Sequence, residues 1–391
     1  MEYTQYGKTG FRVSKLGLGC MRFPKDENEA IAMVRYAIDN GVNYLDSAYV
    51  YKDSEIITGK ALQDGYRNKI YLATKSPIWN ITRHEDFEKY LDEELLRLGT
   101  DHIDVYLLHN LFAGNWEKVQ QYDGLTFLDK MIAKGKILHK AFSIHSSLEA
   151  FKKIVDSFDW EMCQLQLNIL DEHQQVGVAG LKYAAQKGLA TVIMEPLRGG
   201  YLLNNAPQEV HDLVDAYPQK RSLAEWCFRW LYKMPEVSLI LSGTSSLEQL
   251  KDNLRIFDQA KPGVMTEEDQ NLIAKIREAF ESKNSIGCTG CRYCMPCPRG
   301  VSIPEVFKLY NSYQLVKPHP IDQAFYQGTL VPAGSGADQC VSCGLCAQHC
   351  PQGLLIPELL KQAHAELAEE WQKNGIIGRT AESVKQLARR F

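Results

Sequence analysis

The chain has 391 residues, of which 45% are hydrophobic and 24% are charged, as in an ordinary soluble globular protein of about two domains. A net charge of −4 gives no sign of a nucleic-acid or membrane partner. The first ten residues, MEYTQYGKTG, lack the basic and apolar regions of a secretory signal, and no run approaches the roughly 20 apolar residues that span a bilayer. We therefore expect a soluble, cytoplasmic protein.

The N-terminal residues 2–14 predict a hairpin, after which strand-like and helix-like stretches alternate. The predicted strands are Lys15–Leu18, Asn43–Leu45, Ile70–Thr74, Ile103–Leu108, Ala141–Ile144, Met162–Leu167, Ala190–Met194 and Val237–Leu241. The predicted helices include Glu29–Asn40, Glu85–Leu98, Gly124–Lys134, Ser147–Ser157, Val178–Lys187, Leu223–Tyr232 and Leu247–Phe257. Gly41 and Gly188 directly follow two of these helices and are suitable C-terminal stops.

Eight strands alternating with helices over roughly 250 residues favour an α/β fold of the (β/α)8 barrel type. A doubly wound sheet is the alternative. However, the only glycine-rich strand end, LGLGC at Leu16–Cys20, lacks the third glycine and the acidic partner of a dinucleotide fingerprint. We interpret it as a tight turn that faces the site. A further helix at Val264–Ser282 closes a predicted barrel domain of residues 1–282, and residues 283–391 form a predicted second domain.

Four polar side chains follow three successive predicted strands. Asp46 comes directly after an apolar run, and Tyr51 follows five residues later across a turn. Lys75 comes after the strand-like IYLAT, and His109 after VYLL. Because the ends of parallel strands meet on one face of a barrel, we expect a carboxylate, a phenol, an ammonium and an imidazole to converge there.

This set can donate a proton to the oxygen of a carbonyl that receives a hydride. Tyrosine, with a pKa of about 10, is a poor acid near neutrality, but a nearby ammonium lowers the pKa of a phenol. An aspartate keeps the lysine charged and oriented, and a histidine shares the second carbonyl lone pair or relays the proton. A single polar residue at a strand end is more often structural, but all four types together favour a catalytic site.

The motifs resemble those of the aldo/keto reductases over roughly residues 1–280. LDSAYVY is similar to the family's Asp-to-Tyr segment, ATKSP to its lysine segment and YLLH to its histidine segment. The resemblance implies a barrel that binds NADPH or NADH without a Rossmann domain and reduces aldehydes or ketones, small-molecule carbonyl substrates. It also implies that Tyr51 is the acid. Lys75 and Asp46 would tune it, and His109 would orient the substrate.

Later segments resemble the family's cofactor contacts. FSIHS implies that Ser143 holds the nicotinamide carboxamide, and CQLQLN implies that Gln164 lies beneath the ring. MEPLRGG resembles the loop over the pyrophosphate, where glycines let backbone N–H groups approach a phosphate. SGTSSLEQLKDN resembles the adenosine end, with Asn253 on the adenine. The implied cofactor-binding residues are Gly19, Ser143, Gln164, Glu195, Pro196, Leu197, Gly199, Gly200, Gly243, Ser245, Gln249 and Asn253.

Two features depart from the family pattern. Gly243 and Gln249 stand where NADP-preferring members place basic side chains, although Lys251 and Arg255 are near. A phosphate calls for arginine or lysine, so the choice between NADP and NAD stays open. Ile144 stands where many members carry an asparagine, so the resemblance does not extend to that carboxamide contact.

Eight of the eleven cysteines fall in two sets between residues 288 and 350, and each set ends in a Cys-Pro pair. The sets are Cys288, Cys291, Cys294, Cys297 and Cys340, Cys343, Cys346, Cys350. The second set has the spacing of the bacterial ferredoxin run, in which the fourth cysteine serves the other cluster. We therefore assign Cys288, Cys291, Cys294 and Cys350 to one [4Fe–4S] cluster. The other cluster would be held by Cys340, Cys343, Cys346 and Cys297.

Structural zinc is the alternative, since paired C-x2-C units also form four-thiolate sites, but two triplets that close in Cys-Pro are poor zinc ribbons. The linker between the sets, Pro298–Gln339, resembles α-helical ferredoxin domains, and the whole chain resembles aldo/keto reductases fused to a C-terminal 4Fe–4S domain. The charged tail Ala363–Phe391 is predicted to be helical. We interpret the three isolated cysteines, Cys20, Cys163 and Cys227, as small buried hydrophobic residues.

Three functions fit this combination. The chain is an NAD(P)H-dependent carbonyl reductase whose clusters stabilise or modulate it, an electron-transfer protein whose clusters exchange electrons with a redox partner or a bound flavin, or a non-catalytic scaffold. Hydride carries two electrons and a cluster accepts one, so direct coupling would require a converter such as flavin, for which we find no motif. The intact set of four polar residues weighs against a scaffold.

Overall fold

The structure is a computed structural model that describes residues 1–51, 53–282, 285–315 and 320–369. It divides into two compact units. The first comprises Met1–Pro196 and Arg221–Ile273, and the second comprises Leu197–Lys220 and the described residues from Ala274 onward. The boundary between residues 282 and 283 stays a prediction. Within the described ranges, no helix has the length and apolar character that crossing a bilayer requires.

Eight parallel strands of the first unit close into a barrel, as predicted. The strands in chain order are an antiparallel hairpin of β1 (Tyr3–Gln5) and β2 (Arg12–Ser14), followed by the barrel strands β3 (Leu16–Gly19), β4 (Tyr44–Asp46), β5 (Tyr71–Ser76), β6 (Ile103–Leu108), β7 (Ile137–Ile144), β8 (Met162–Gln166), β9 (Ala190–Met194) and β10 (Leu239–Ser242). Each barrel strand pairs with the next, and β10 closes the barrel on β3. The predicted (β/α)8 fold is therefore confirmed.

Helices alternate with the strands. They are α1 (Glu27–Asp39), α2 (Ser54–Ala61), α3 (Glu85–Leu98), α4 (Ala113–Gln121), α5 (Gly124–Ala133), α6 (Leu148–Ser157), α7 (Gly177–Gln186), α8 (Tyr201–Asn204), α9 (Gln208–Ala216), α10 (Leu223–Tyr232), α11 (Leu247–Phe257) and α12 (Glu267–Glu281). The side chains of Asp26, Ser147, Ser222 and Ser246 accept hydrogen bonds from backbone N–H groups at the starts of α1, α6, α10 and α11, which satisfies donors that a helix start leaves unpaired.

The barrel interior is filled by apolar side chains at the end that the hairpin covers. This buried cluster contains Tyr6, Val13, Tyr44, Ala73, Val105, Leu107, Ala141, Met162, Ala190, Val192, Leu239 and Leu241. Tyr6 from the hairpin bonds the hydroxyl of Tyr44 at 2.9 Å. Since side chains two residues apart in a strand share a face, Asp46 lies on the same side of β4 as Tyr44, beyond this apolar plug.

Two predicted boundaries differ from the structure. Asp46 and Lys75 lie inside β4 and β5, not beyond them, so the backbone as well as the packing holds their Cα positions. The strand predicted at Lys15–Leu18 is β3 and extends to Gly19, and the tight turn interpreted at Leu16–Cys20 begins later, as a 3-10 helix at Cys20–Arg22. The isolated cysteines are buried, as expected.

The second unit is mostly helical around a core of its own. Its helices after α12 are α13 (Ile303–Leu315), α14 (Pro320–Phe325), α15 (Leu345–Gln348) and α16 (Ile356–His364), with π-helical turns at Tyr326–Leu330 and Ala365–Glu369. Apolar side chains such as Phe307, Tyr310 and Leu360 are fully buried here. Of the predicted helical tail, residues 370–391 lie outside the described residues.

Candidate active site

A buried ion pair joins two neighbouring strands of the barrel. Nζ of Lys75 lies 2.5 Å from Oδ1 of Asp46, and the two side chains are 1% and 4% exposed. The ammonium also donates to the carbonyl oxygen of Ser47 at 2.6 Å. Burial raises the pKa of Asp46, and the ammonium of Lys75 opposes that rise. The pair therefore holds a positive charge at one defined point inside the barrel.

The phenol ring of Tyr51 and the imidazole of His109 lie beside this ammonium. Nζ of Lys75 is 4.9 Å from the centre of the Tyr51 ring. The rings of Tyr51 and His109 are 5.9 Å apart and nearly perpendicular. The structure thus brings together all four residues that the strand ends predict.

His109 is buried and lies against an aromatic ring that the sequence did not single out. Its ring centre is 5.1 Å from that of Trp79. Burial lowers the pKa of His109 well below 6.5, and the charge of Lys75 adds to the effect. The imidazole is therefore neutral near neutral pH and can share one proton with a hydrogen-bond acceptor.

A second, partly buried network connects the loop that carries the phenol to the rest of the barrel. Arg97 on α3 donates to Glu55 at 3.2 Å and to the backbone carbonyl of Tyr49 at 3.3 Å. Glu55 also accepts the hydroxyl of Thr74 at 2.6 Å, and Thr74 is the neighbour of Lys75. One carboxylate is thus bonded to the lysine strand and, through Arg97, to the tyrosine loop.

Glycines stand at the ends of two adjacent strands, Gly19 at the end of β3 and Gly243 directly after β10. Neither has a side chain that would take up the room that a phosphate-bearing ligand needs. A Cβ on Gly19 would lie 3.6 Å from the backbone nitrogen of Gly243, and a Cβ on Gly243 would lie 3.7 Å from the carbonyl oxygen of Gly19. Both distances are ordinary van der Waals contacts, so a side chain at either position would fill the space between the two strand ends. We call the space between Gly19 and Gly243 the glycine cradle. It fits the close backbone approach that a dinucleotide requires.

Arg22 reaches across this cradle and was missed by the sequence analysis. It lies in the 3-10 turn after β3, and its Nη2 is 3.1 Å from Oε1 of Glu195 at the end of β9. A Cβ on Gly243 would lie 3.9 Å from Cβ and Cδ of Arg22. The second carboxylate oxygen of Glu195 is buried without a hydrogen-bond partner, so it can accept a hydroxyl from a ligand.

The predicted carboxamide contacts lie on neighbouring strands. Ser143 and Gln164 are paired across β7 and β8, and each is 2% exposed. The hydroxyl of Ser143 accepts the backbone N–H of Asn110 at 2.9 Å, and the amide oxygen of Gln164 is buried without a hydrogen-bond partner. Ile144 is buried and, as the next residue in β7, faces the opposite side of the strand.

The side chains of the segment predicted to bind adenosine form hydrogen bonds with one another and with the segment's own backbone. Gln249 accepts the backbone N–H of Ser245 at 3.0 Å, and Asn253 donates to Ser242 at 2.9 Å. Of the two nearby basic residues, Arg255 is paired with Asp252 and Glu225, at 2.9 and 3.2 Å. Nζ of the other, Lys251, lies 5.6 Å from the ring centre of Tyr36.

The boundary between the two compact units falls inside the predicted pyrophosphate loop. Glu195 and Pro196 belong to the first unit, and Leu197, Gly199 and Gly200 to the second. Glu195 has a φ of +55°, a backbone conformation that side chains other than glycine rarely adopt and that recurs at ligand-binding sites.

The thiols of the second unit form two neighbourhoods. Burial raises the pKa of Cys288 to about 11, and the thiols of Cys291 and Cys350 add to the rise. Burial likewise raises the pKa of Cys294 to about 12, and the thiols of Cys291, Cys288 and Cys350 add to the rise. The last cysteine of the second set therefore lies with the first triplet.

The complementary neighbourhood contains the last cysteine of the first set. Burial raises the pKa of Cys346, and the thiols of Cys340 and Cys297 add to it. Cys343 is exposed. Across the described ranges, no three potential ligand side chains are arranged to hold a single metal ion. A cubane binds each thiolate through a different iron, so its ligands need not converge on one point as they do around zinc.

Comparisons with known proteins match both parts of the chain to known families. Residues 15–278 match the model of the aldo/keto reductase family, and residues 287–355 match that of a 4Fe-4S dicluster domain. Fold and site thus define a barrel oxidoreductase with an iron-sulfur domain. Because the first match covers more than half of the chain, the protein belongs to the aldo/keto reductase family.

Relatives and solved structures support the same assignment. The oxidoreductase YqkF of Bacillus subtilis is 27% identical over 303 residues, which cover 69% of this chain and 94% of YqkF. The aldo-keto reductase YhdN of the same organism is 37% identical over 125 residues, 28% of this chain and 38% of YhdN. The holo form of aldo-keto reductase AKR11C1 from Bacillus halodurans has a TM-score of 0.59 and 25% identity, over 71% of this chain and 97% of that one.

The buried histidine predicts a pH dependence of stability. The pKa of His109 is well below its usual value when folded and about 6.5 when unfolded. Between these values only the unfolded chain binds the proton, so the free energy of unfolding falls as the pH drops below about 6.5. Urea unfolding at pH 7.5 and 5.5, followed by tryptophan fluorescence, should show a smaller loss in His109→Gln than in the wild type.

The matched control is His173→Gln, which removes an exposed histidine of the same unit. We expect this variant to lose as much stability as the wild type between the two pH values. An equal loss in His109→Gln would contradict the neutral, buried state of the imidazole.

Proposed function

We propose that the protein reduces an aldehyde or ketone to an alcohol with NADPH or NADH, and that Tyr51 is the general acid. The observation that carries this proposal is the buried Lys75 ammonium, held by Asp46 and 4.9 Å from the Tyr51 ring. A positive charge there favours the phenolate that remains after proton transfer. Family membership supplies the reaction class.

The other residues around the phenol hold the lysine, orient the carbonyl and exclude water. Asp46 keeps the lysine charged and oriented. His109, neutral and close to the Tyr51 ring, donates its N–H to the carbonyl oxygen and holds it toward the phenol. Trp79, against the imidazole, forms an apolar wall that shields the reacting carbonyl from water.

The dinucleotide would supply the hydride when bound. Ser143 and Gln164 would hold the carboxamide, and Gly19 and Gly243 would leave room for the phosphates. The other contacts would come from the pyrophosphate loop and the adenosine segment predicted from the sequence. Arg22 and Glu195 add a bridge over the glycine cradle. Since Arg255 already has two acidic partners, a 2′-phosphate would compete with them, and the choice of NADP or NAD is left to direct binding measurements.

We also propose two [4Fe–4S] clusters in the second unit. The thiol neighbourhoods support ligand sets in which each triplet is completed by the last cysteine of the other set. The first set would be Cys288, Cys291, Cys294 and Cys350, and the second Cys340, Cys343, Cys346 and Cys297. When bound, such clusters exchange single electrons. Thiolates are the ligands that they require, and the residues present fit them.

The acid is tested with Tyr51→Phe, which removes only the hydroxyl. We expect carbonyl reduction to fall by about 10²–10⁴-fold, while nicotinamide binding, followed by fluorescence titration, is unchanged. Tyr49→Phe is the matched control on the same loop, and its hydroxyl bonds Glu93, outside the proposed site. Turnover retained by Tyr51→Phe on a panel of small aldehydes and ketones would remove the residue from this role.

The ligand sets are tested by comparing two double variants. Cys288→Ala with Cys350→Ala should lose no more iron and sulfide than either single variant, because both remove the same cluster. Cys288→Ala with Cys297→Ala should lose both clusters. Metal and labile sulfide are measured after anaerobic reconstitution. The opposite pattern, or zinc in place of iron, would refute the assignment.

The second candidate function is electron exchange with a redox partner through the clusters. One observation favours it. The exposed Cys343 lies two residues along the chain from each of the apolar residues Val341 and Leu345, which are 57% and 48% exposed, and exposed apolar patches mark interaction surfaces.

The two candidates are separated by anaerobic stopped-flow mixing with NADPH or NADH. Under the first function the cluster absorbance stays constant, since no converter passes single electrons from the hydride. Bleaching by NAD(P)H alone, at the rate of turnover, would overturn the first function and support the second.

A further inference from the structure

The loop after β9 contains an arginine that none of the proposed contacts uses. Arg198, Gly199 and Gly200 follow one another with φ values of +51°, +67° and +89°. The two glycines adopt this region readily, but the arginine is held in an unfavourable conformation. The segment Leu197–Lys220 belongs to the same compact unit as the cysteines.

Within that unit, the guanidinium of Arg198 lies against the chain that enters the first cysteine set. A Cβ on Gly287 would lie 2.7 Å from Nη2 of Arg198, closer than real Cβ contacts, and 3.0 Å from Cζ. Only a glycine at position 287 therefore allows this approach. Gly287 directly precedes Cys288, so a positive charge lies beside the start of the first cysteine set.

A second contact fastens the same two segments together. The hydroxyl of Tyr201 is hydrogen-bonded to the hydroxyl of Ser285, and the ring of Tyr201 packs on Phe280, with centroids 6.1 Å apart. Cζ of Arg198 lies 5.7 Å from the Tyr201 ring centre. A polar contact to Ser285 and an aromatic contact to Phe280 thus fasten the loop, and the cation–π contact between Arg198 and Tyr201 lies within the loop itself.

We propose that Arg198 is shared by two anionic groups, the dinucleotide phosphates at Gly199 and Gly200 and the cluster at Cys288, and so couples dinucleotide binding to the redox state of that cluster. The inference rests on the proposed function for both groups. It goes further because it gives the loop a regulatory role and assigns Arg198 to it.

The sign of the coupling follows from charge. A nearby cation favours the reduced, more negative state of a cluster. A bound pyrophosphate adds negative charge and competes for the same guanidinium, so it favours the oxidised state. By linkage, reduction of the cluster must weaken dinucleotide binding by the same factor. A tenfold difference in affinity corresponds to about 59 mV for a one-electron couple.

The test is an EPR-monitored redox titration of the full chain, reconstituted anaerobically, with and without saturating NADP⁺ or NAD⁺. We expect the dinucleotide to lower the midpoint potential of the first cluster. Arg198→Ala should lower that potential without ligand, weaken dinucleotide binding by about tenfold and reduce the ligand-dependent shift. The second cluster serves as the internal reference.

Two control variants test the charge and the contact separately. Lys275→Ala is the control for Arg198→Ala, and Gly328→Ala is the control for Gly287→Ala. Lys275→Ala removes an exposed positive charge from α12 and should leave both measurements unchanged. Gly287→Ala displaces the guanidinium and should act like Arg198→Ala. Gly328→Ala adds a Cβ where no atom lies within 4 Å and should act like the wild type.

The outcomes also separate this inference from the proposed function. A dinucleotide that binds without shifting the potential, together with an unchanged potential in Arg198→Ala, would overturn the coupling and leave the reductase assignment intact. Failure of both NADP⁺ and NAD⁺ to bind would overturn the coupling and the proposed function together.

Discussion

The buried pair of Lys75 and Asp46 is the interaction on which the proposed chemistry depends. Removing two charges from water costs several kcal/mol per ion, and the pair recovers this only with short contacts and further hydrogen bonds. The 2.5 Å contact and the bond to the Ser47 carbonyl supply both. Loss of either partner would leave a buried charge uncompensated, so the ammonium has one position, and the phenol beside it has one electrostatic environment.

The rest of the first unit maintains that position. The apolar plug under the site fixes β4 through Tyr44, and the Glu55–Arg97 network connects the lysine strand to the tyrosine loop. Within the network, Thr74 and Lys75 are consecutive residues of β5 and therefore face opposite sides of the strand. Packing on the outside of the barrel therefore contributes to the geometry inside it.

Much of the fold and the four polar residues could be predicted from the sequence, because the signals were local. Strand periodicity and the glycines after helices are read over a few residues, and the four polar groups stand at strand ends. Arg22, Trp79 and Arg198 could not be predicted, since their importance comes from partners far along the chain: Glu195, His109 and Gly287. A short helix such as α2 (Ser54–Ala61) also escaped, because eight residues give little periodicity.

The central claim is tested most directly on the Tyr51 phenol itself. Ultraviolet difference titration of the wild type against Tyr51→Phe isolates its ionisation, and the same difference is measured in a Lys75→Met background. The account predicts that the phenol ionises at lower pH when the lysine is present. An ionisation that is the same with and without Lys75 would contradict it.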